Sequence, residues 1–200
     1  MGRVFSEGVY WWGNFILSKK FMKKLKKDLE NYILKNPYEK EVAEKFINFL
    51  EKYWEKWFFR ENLEWHFTWS VLVFNKDFSK TLLMHHKKLN RWLNFWWHAD
   101  WDLNIKNVAI KELWEEAWIL MKKEDLIEDF MDLDLQIIPE RKKEPEHFHY
   151  DIRFVICVNE NILFEKQDLE VNEIKWFNVL DLVWNNDFDS LFRVVNKIRK

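Results

Sequence analysis

The chain has 200 residues, 48% of them hydrophobic, with a formal charge of −2 and a pI near 6.3. That is enough apolar material for one domain with a small extension, and there is no basic excess of the kind that binds nucleic acid in bulk. One cysteine excludes an internal disulfide framework and suits a reducing cytoplasm, and no apolar run approaches the ~18 residues of a transmembrane helix. No membrane partner is expected.

At the N-terminus, Val9 to Leu17 is apolar, but Lys19 and Lys20 follow it, the reverse of a signal peptide. Met1 to Ser6 matches the short myristoylation pattern, which means nothing in a bacterium. Residues 15 to 35 then read as a basic amphipathic helix, because Ile16, Phe21, Leu25, Leu29 and Ile33 recur at mostly four-residue spacing with Lys between them. Asn36-Pro37 stops it. A second helix is expected from Lys40 to Trp57, with Val42, Phe46, Phe49, Leu50, Tyr53 and Trp54 on its apolar side. Residues 1–60 are thus a helical arm. Its lysines read as a solvated outer face in preference to a nucleic-acid or membrane surface.

From His66 the period changes to two. His66 to Phe74 reads as a strand rich in β-branched and aromatic residues. Asn75-Lys76-Asp77 is a turn, and Thr81 to His85 is the partner strand. His85 and His86 are adjacent, so they face opposite sides and are read as structural or substrate-lining. Ile127 to Ile138, around Phe130, Leu133, Leu135 and Ile137, reads as a later strand. Pro139 to Glu146 is an exposed loop. His147 opens the next strand, whose period puts His147, His149 and Asp151 on one face. These are metal-ligand types, but the preferred reading is a polar face lining a substrate cleft. Cys157 lies in the apolar run Phe154 to Val158 and reads as a core residue. Val171 to Trp176 is a late strand, and Ser190 to Ile198 a closing helix.

Between the hairpin and the later strands stands the most informative stretch: Trp96-Trp97-His98-Ala99-Asp100-Trp101-Asp102, then Lys111-Glu112-Leu113-Trp114-Glu115-Glu116-Ala117-Trp118-Ile119. A helix from Ile105 to Ala117 would put Glu112, Glu115 and Glu116 on one face. Three like charges repel unless a cation sits among them, and a hard divalent ion with oxygen ligands would do this. The plain alternative is a solvated acidic face.

The wider stretch resembles the Nudix box: a glycine, five residues, Glu, seven residues, Arg-Glu, an aliphatic, any residue, Glu-Glu, any residue, a glycine and an aliphatic. Lys111-Glu112 stands at the Arg-Glu pair, Leu113 and Ile119 at the aliphatics, and Glu115-Glu116 at the paired carboxylates. Trp97 and Trp118 stand at the glycines. Leu103 stands at the isolated Glu. Residues 96–102 resemble a Gly-Gly-His-Ala-Asp-Gly-Asp start of the box, with Trp at each glycine. The His85-His86-Lys87-Lys88-Leu89 segment ahead of it resembles the same group.

The substitution is systematic. Soluble proteins average about 7% Gly, or roughly 14 in a chain this long. This one has 3 Gly and 14 Trp, together 17. The expectation is that most of these Trp are glycines in the organism, because some bacterial lineages read UGA as glycine. Trp92 and Trp176 are exceptions, since related sequences often carry Trp there.

The resemblance covers roughly residues 60–200. It implies the Nudix α/β/α sandwich over 61–200, a mixed sheet between helices. It implies hydrolysis of a nucleoside diphosphate linked to another moiety. Glu112, Glu115 and Glu116 would hold Mg²⁺ or Mn²⁺, with Lys111 in place of an orienting Arg. A carboxylate of the box or of the later loop (Glu144 or Glu146) would be the base. Trp96, Trp97, His98, His147, His149 and Asp151 would line the substrate site. A small-molecule nucleoside diphosphate derivative is the expected partner, with no nucleic acid, and a homodimer is compatible with the pattern. The rival reading is a Nudix-fold nucleotide-binding module without catalysis, favoured by Leu103 and Lys111 and by genuine Trp residues.

Overall fold

The computed structural model describes residues 7–53, 65–98, 111, 113–115, 117–119, 132–140, 145–165, 170–184 and 188–199, with side chains from residue 19 onward except at Trp65 and His98. The first helix, α1, runs Glu7–Lys35 and so starts ahead of the expected position. Leu25, Leu29 and Tyr32 lie on its buried side. It stops where expected: the Asn36 N–H bonds the Tyr32 carbonyl at 2.8 Å, and Pro37 opens a short 3₁₀ turn, Pro37–Glu39. The second helix, α2, spans Lys40–Lys52 and buries Ala43, Phe46, Phe49 and Leu50 at helical spacing. The expected continuation to residue 57 lies outside the described residues.

Among the described residues, seven strands form one mixed sheet: β1 Trp65–Asn75, β2 Lys80–His86, β3 Arg91–Leu93, β4 Phe95–His98, β5 Asp132–Ile138, β6 His147–Val158 and β7 Val171–Asn178. The order is β3-β2-β1-β6-β5, with β4 also on β1 and β7 also on β2. β1 is the axis. It runs parallel to β6 over its whole length. Its other edge takes β4 antiparallel at Thr68 to Val71 and β2 antiparallel at Val73 and Phe74. β4 was not foreseen as a strand, because its Phe95-Trp96-Trp97-His98 run shows no alternation.

Period two divides β1 into two faces. Phe67, Trp69, Val71 and Val73 share a core with the buried residues of α1 and α2, with Phe95 and Trp97 of β4, and with Leu113, Ala117 and Ile119. The Phe49 ring stacks on Tyr150 at 4.3 Å and meets Phe67 edge-on at 5.1 Å. Leu72 and Phe74 face the other way, against Leu191, Val194 and Val195 of the closing helix α3, Asp189–Ile198. Helices on both faces of a mixed sheet make the expected α/β arrangement, preceded by the N-terminal helices. The expected division between arm and domain, at residues 60 and 61, falls outside the described residues, but the arm's apolar side is part of the sheet's own core.

Candidate functional site

The helix carrying the box is described at residues 111, 113–115 and 117. Leu113 and Ala117, one turn apart, are fully buried, and Ile119 follows them into the core. That burial turns positions 111 and 115 outward. Lys111 Nζ lies 3.5 Å from Glu115 Oε1, with both side chains open to solvent. An exposed pair of this kind contributes at most about 0.5 kcal/mol, too little to matter for the stability of the fold. Glu112, Glu116, Leu103, Trp101 and Glu144 lie outside the described residues. Glu146 is exposed.

The helix ends in a left-handed cap. The Trp118 N–H bonds the Trp114 carbonyl at 2.9 Å, and Trp118 has φ 49°. The Ala117 carbonyl accepts the Glu165 N–H at 3.1 Å. A left-handed residue one past the helix end is glycine's usual place, because a side chain there crowds the following carbonyl at a cost of roughly 1–2 kcal/mol. Tryptophan occupies it here, its ring stacked on Trp114 at 5.7 Å.

At the start of the box, β4 pairs Trp97 with Trp69 and Trp96 with Ser70. Both members of the first pair are buried, at 7% and 1% exposure, and neither indole N–H has a hydrogen-bond partner among the described residues. A buried donor left unsatisfied costs roughly 1–3 kcal/mol. Trp92, expected to be genuine, instead sits edge-on to His85 and Phe177, at 5.2 and 4.7 Å. Trp176, also expected to be genuine, has an unpartnered N–H like Trp69 and Trp97. His98 is placed only in its backbone, opposite Thr68.

On β6 the expected trio divides. His147 and His149 stay together and are joined by His66, which the parallel register sets directly beside His149. The three imidazoles are buried at 6–7% exposure. Asp151 belongs to a different group. Its two oxygens accept from Thr68 Oγ1 at 2.9 Å, Ser70 Oγ at 2.6 Å and Arg153 Nε at 2.8 Å. Arg153 is 2% exposed and also meets Asp134 at 2.7 Å and Asp132 at 3.7 Å. Arg193 of α3 bonds Asp132 and Asp134 at 2.9 and 2.8 Å. Lys197 bonds Asp132 Oδ1, Tyr32 Oη and Glu39 Oε2. Burial alone would push the Asp134 carboxyl up, but the Arg153 charge and the Arg193 and Gln136 hydrogen bonds outweigh it and hold it below the usual carboxylate value. Burial, then Asp132 and Glu39, push the Tyr32 phenol upward, so it stays protonated and donates to Glu39.

His66 and Arg153 were missed in the sequence. The signal for His66 was its place at the start of a strand, but pairing it with His149 needs the register of two strands far apart in the chain. His85 and His86, read as structural or substrate-lining, each have a contact within the fold. His85 Nδ1 meets the Asn172 amide at 3.0 Å, and the Leu89 N–H points at His86 Nδ1.

No protein-family model matches the sequence, and no curated protein is similar to it. Solved structures are similar in fold. The complex of a C. elegans Ap4A hydrolase is 18% identical with a TM-score of 0.51, over 66% of this chain and 94% of that one. The NUDIX domain of Shewanella oneidensis NrtR, complexed with ADP ribose, is 14% identical with a TM-score of 0.51, over 74% and 96%. The E. coli dihydroneopterin triphosphate pyrophosphohydrolase is 15% identical with a TM-score of 0.51, over 65% and 95%. At these identities the likeness is one of architecture, and the chain has the mixed α/β fold seen in the NUDIX domain and the two hydrolases.

Proposed function

We propose that the chain is a Nudix-type hydrolase that splits the diphosphate linkage of a nucleoside diphosphate derivative, and that Trp96, Trp97, Trp101 and Trp118 stand for glycine in the organism. The observation that carries this reading is the pair of helix faces at the box: Leu113 and Ala117 buried, Glu115 outward beside Lys111, within a fold shared with such hydrolases. The similar proteins act on or bind Ap4A, ADP ribose and dihydroneopterin triphosphate. All carry a nucleotide-like group on a phosphate chain, and a substrate of that class is the proposal.

Glu115 suits a hard cation, because its carboxylate is open to solvent and offers oxygen donors. Glu112 and Glu116 are added as its companions on the sequence pattern alone. Mg²⁺ or Mn²⁺ held there would supply positive charge to diphosphate oxygens and acidify an attacking water. One carboxylate, of the box or at Glu144 or Glu146, would take the water's proton. Lys111 holds Glu115 by a single point charge, without the two-pronged geometry of Arg. In this reading the stretch from 96 to 101 would offer backbone N–H groups to phosphate oxygens, which would need small residues at 96, 97 and 101. The free, partly buried thiol of Cys157 agrees with a reducing cytoplasm. Among the described residues, no helix is long and apolar enough to cross a membrane.

The test is a panel of nucleoside diphosphate derivatives with Mg²⁺, run on the glycine-containing form and on its Glu115→Gln variant. Metal-assisted charge stabilisation is worth several kcal/mol, and each 1.36 kcal/mol is tenfold in rate. A fall of roughly 10²-fold or more in kcat is expected. Near-normal turnover in Glu115→Gln would remove these carboxylates from the chemistry.

A further inference from the structure

We infer that His66, His147 and His149 form a second metal centre, separate from the box carboxylates, that takes a nitrogen-preferring divalent ion such as Zn²⁺. Their ligand atoms all lie within 4.8 Å of one another. Two of them, Nε2 of His147 and Nε2 of His149, are already 3.1 Å apart. Two ligands of a tetrahedral zinc with Zn–N bonds of ~2.0–2.1 Å stand roughly 3.3 Å apart, so this pair has the spacing of a coordination edge. The ring of His66 lies 4.5 Å from that of His149 and 5.2 Å from that of His147, within a small side-chain rotation of the same point.

The tautomers agree with the geometry. Nδ1 of His147 faces the Pro145 carbonyl at 2.9 Å. A carbonyl only accepts, so the proton sits on Nδ1 and the Nε2 lone pair is left bare. A backbone carbonyl orienting the far nitrogen is the usual support of a metal-bound imidazole. The Nε2 of His149 faces that Nε2 from 3.1 Å away.

The donor set fixes the class of ion. Three neutral imidazoles suit Zn²⁺, Fe²⁺, Ni²⁺ or Cu²⁺ and are poor ligands for Mg²⁺, whose preference is oxygen. Asp151 is not a fourth ligand, because Thr68, Ser70 and Arg153 occupy it. Three protein ligands leave one position for water or a ligand oxygen, the pattern of a reactive and not a purely structural zinc. The Trp96 ring lies 5.8 Å from that of His149. If residue 96 is glycine, that side of the triad has more room. The centre does not depend on the proposed hydrolysis. By alternation along β1 and β6 it lies on the sheet face opposite Phe67, Trp69 and Tyr150, the face whose core includes Leu113 and Ala117.

The experiment is a titration of the full-length chain, free of any polyhistidine tag and stripped with chelator, with Zn²⁺ and with Co²⁺ as a visible probe. One equivalent is expected to bind, with the d–d bands of low-coordinate nitrogen-ligated Co²⁺ and a rise in melting temperature with Zn²⁺. His66→Ala and His149→Ala should each weaken binding by about 100-fold or more, while Glu115→Gln leaves it unchanged. That last variant separates the two centres, since failure of the hydrolase reading does not alter the Co²⁺ spectrum. If an alanine variant misfolds by circular dichroism, the milder His147→Gln takes its place, and the spectrum of the unmutated protein stands regardless. Absence of Co²⁺ bands and of any Zn²⁺-induced shift at millimolar metal overturns the proposal. So do nitrogen-ligated Co²⁺ bands that survive loss of both His66 and His149.

Discussion

Single residues carry the case for recoding. Trp118 holds a left-handed backbone, and Trp69 and Trp97 bury indole N–H groups without partners among the described residues, a condition that Trp176 shares and that therefore weighs less than the cap. A genuine tryptophan would gain by avoiding both conditions, whereas glycine has neither a side chain to crowd the cap nor a donor to satisfy. Peptide mass spectrometry of the native protein should therefore show Gly at 96, 97, 101 and 118. Trp at all four positions would sink the idea and favour the binding module without catalysis. In the Trp-bearing chain, Trp118→Gly relieves the left-handed strain of roughly 1–2 kcal/mol but gives up the contact with Trp114, worth about 0.5–1.5 kcal/mol. The expected result is unchanged or slightly raised stability in a denaturant melt. A loss above about 2 kcal/mol would mean that the cap is built for tryptophan.

Among the elements, those bounded by clear turn and stop signals were legible. β1, β2, β6 and β7 appear within a few residues of their expected positions, because runs rich in β-branched and aromatic residues mark strands even where, as in β1 and β6, both faces are buried. The helix stop at Asn36-Pro37 and the closing helix were equally plain. β4 was not, because unbroken aromatic residues hide the period. The arm was read as helical but as an extension, since nothing in its sequence tells which surface its apolar stripe meets. That surface is the sheet: Phe46 and Phe49 pack on Phe67 and Tyr150. Phe49→Ala should cost about 3–5 kcal/mol, as for other buried aromatic truncations. Removing residues 1–53 should expose the Phe67, Trp69 and Tyr150 face and abolish cooperative unfolding. A soluble fragment with a sharp melt would show the arm to be dispensable.

Across the whole molecule, the buried ion network joins parts that sequence could not connect. Arg153 sits within a strand that reads as apolar, and its partners come from β5 and, through Asp132 and Asp134, from α3 and the turn at Glu39. Removing one member of a buried pair leaves the others uncompensated, at a cost of about 3–5 kcal/mol. Arg153→Met keeps most of the volume but leaves Asp132 and Asp151, at 0% and 2% exposure, without its charge. A loss of that size is expected in urea unfolding near neutral pH. Acid tests the same network by another route. The Asp134 carboxyl is held below its ordinary value in the folded protein. Its contribution is therefore complete above that value and is lost as pH falls through the lower folded one. Its bonded partners are Arg153 from β6, Arg193 from α3 and Gln136 beside it on β5, none of which changes charge in that range, while Asp132 and Asp151 share those arginines in wild type and variant alike. Asp134→Asn removes the titrating group, so the gap between wild type and variant should be steady from pH 7 to about pH 5 and close below the carboxylate range. A gap that stays constant down to pH 2 would mean that Asp134 acts through packing alone and that its charge does not help hold α3 to the sheet.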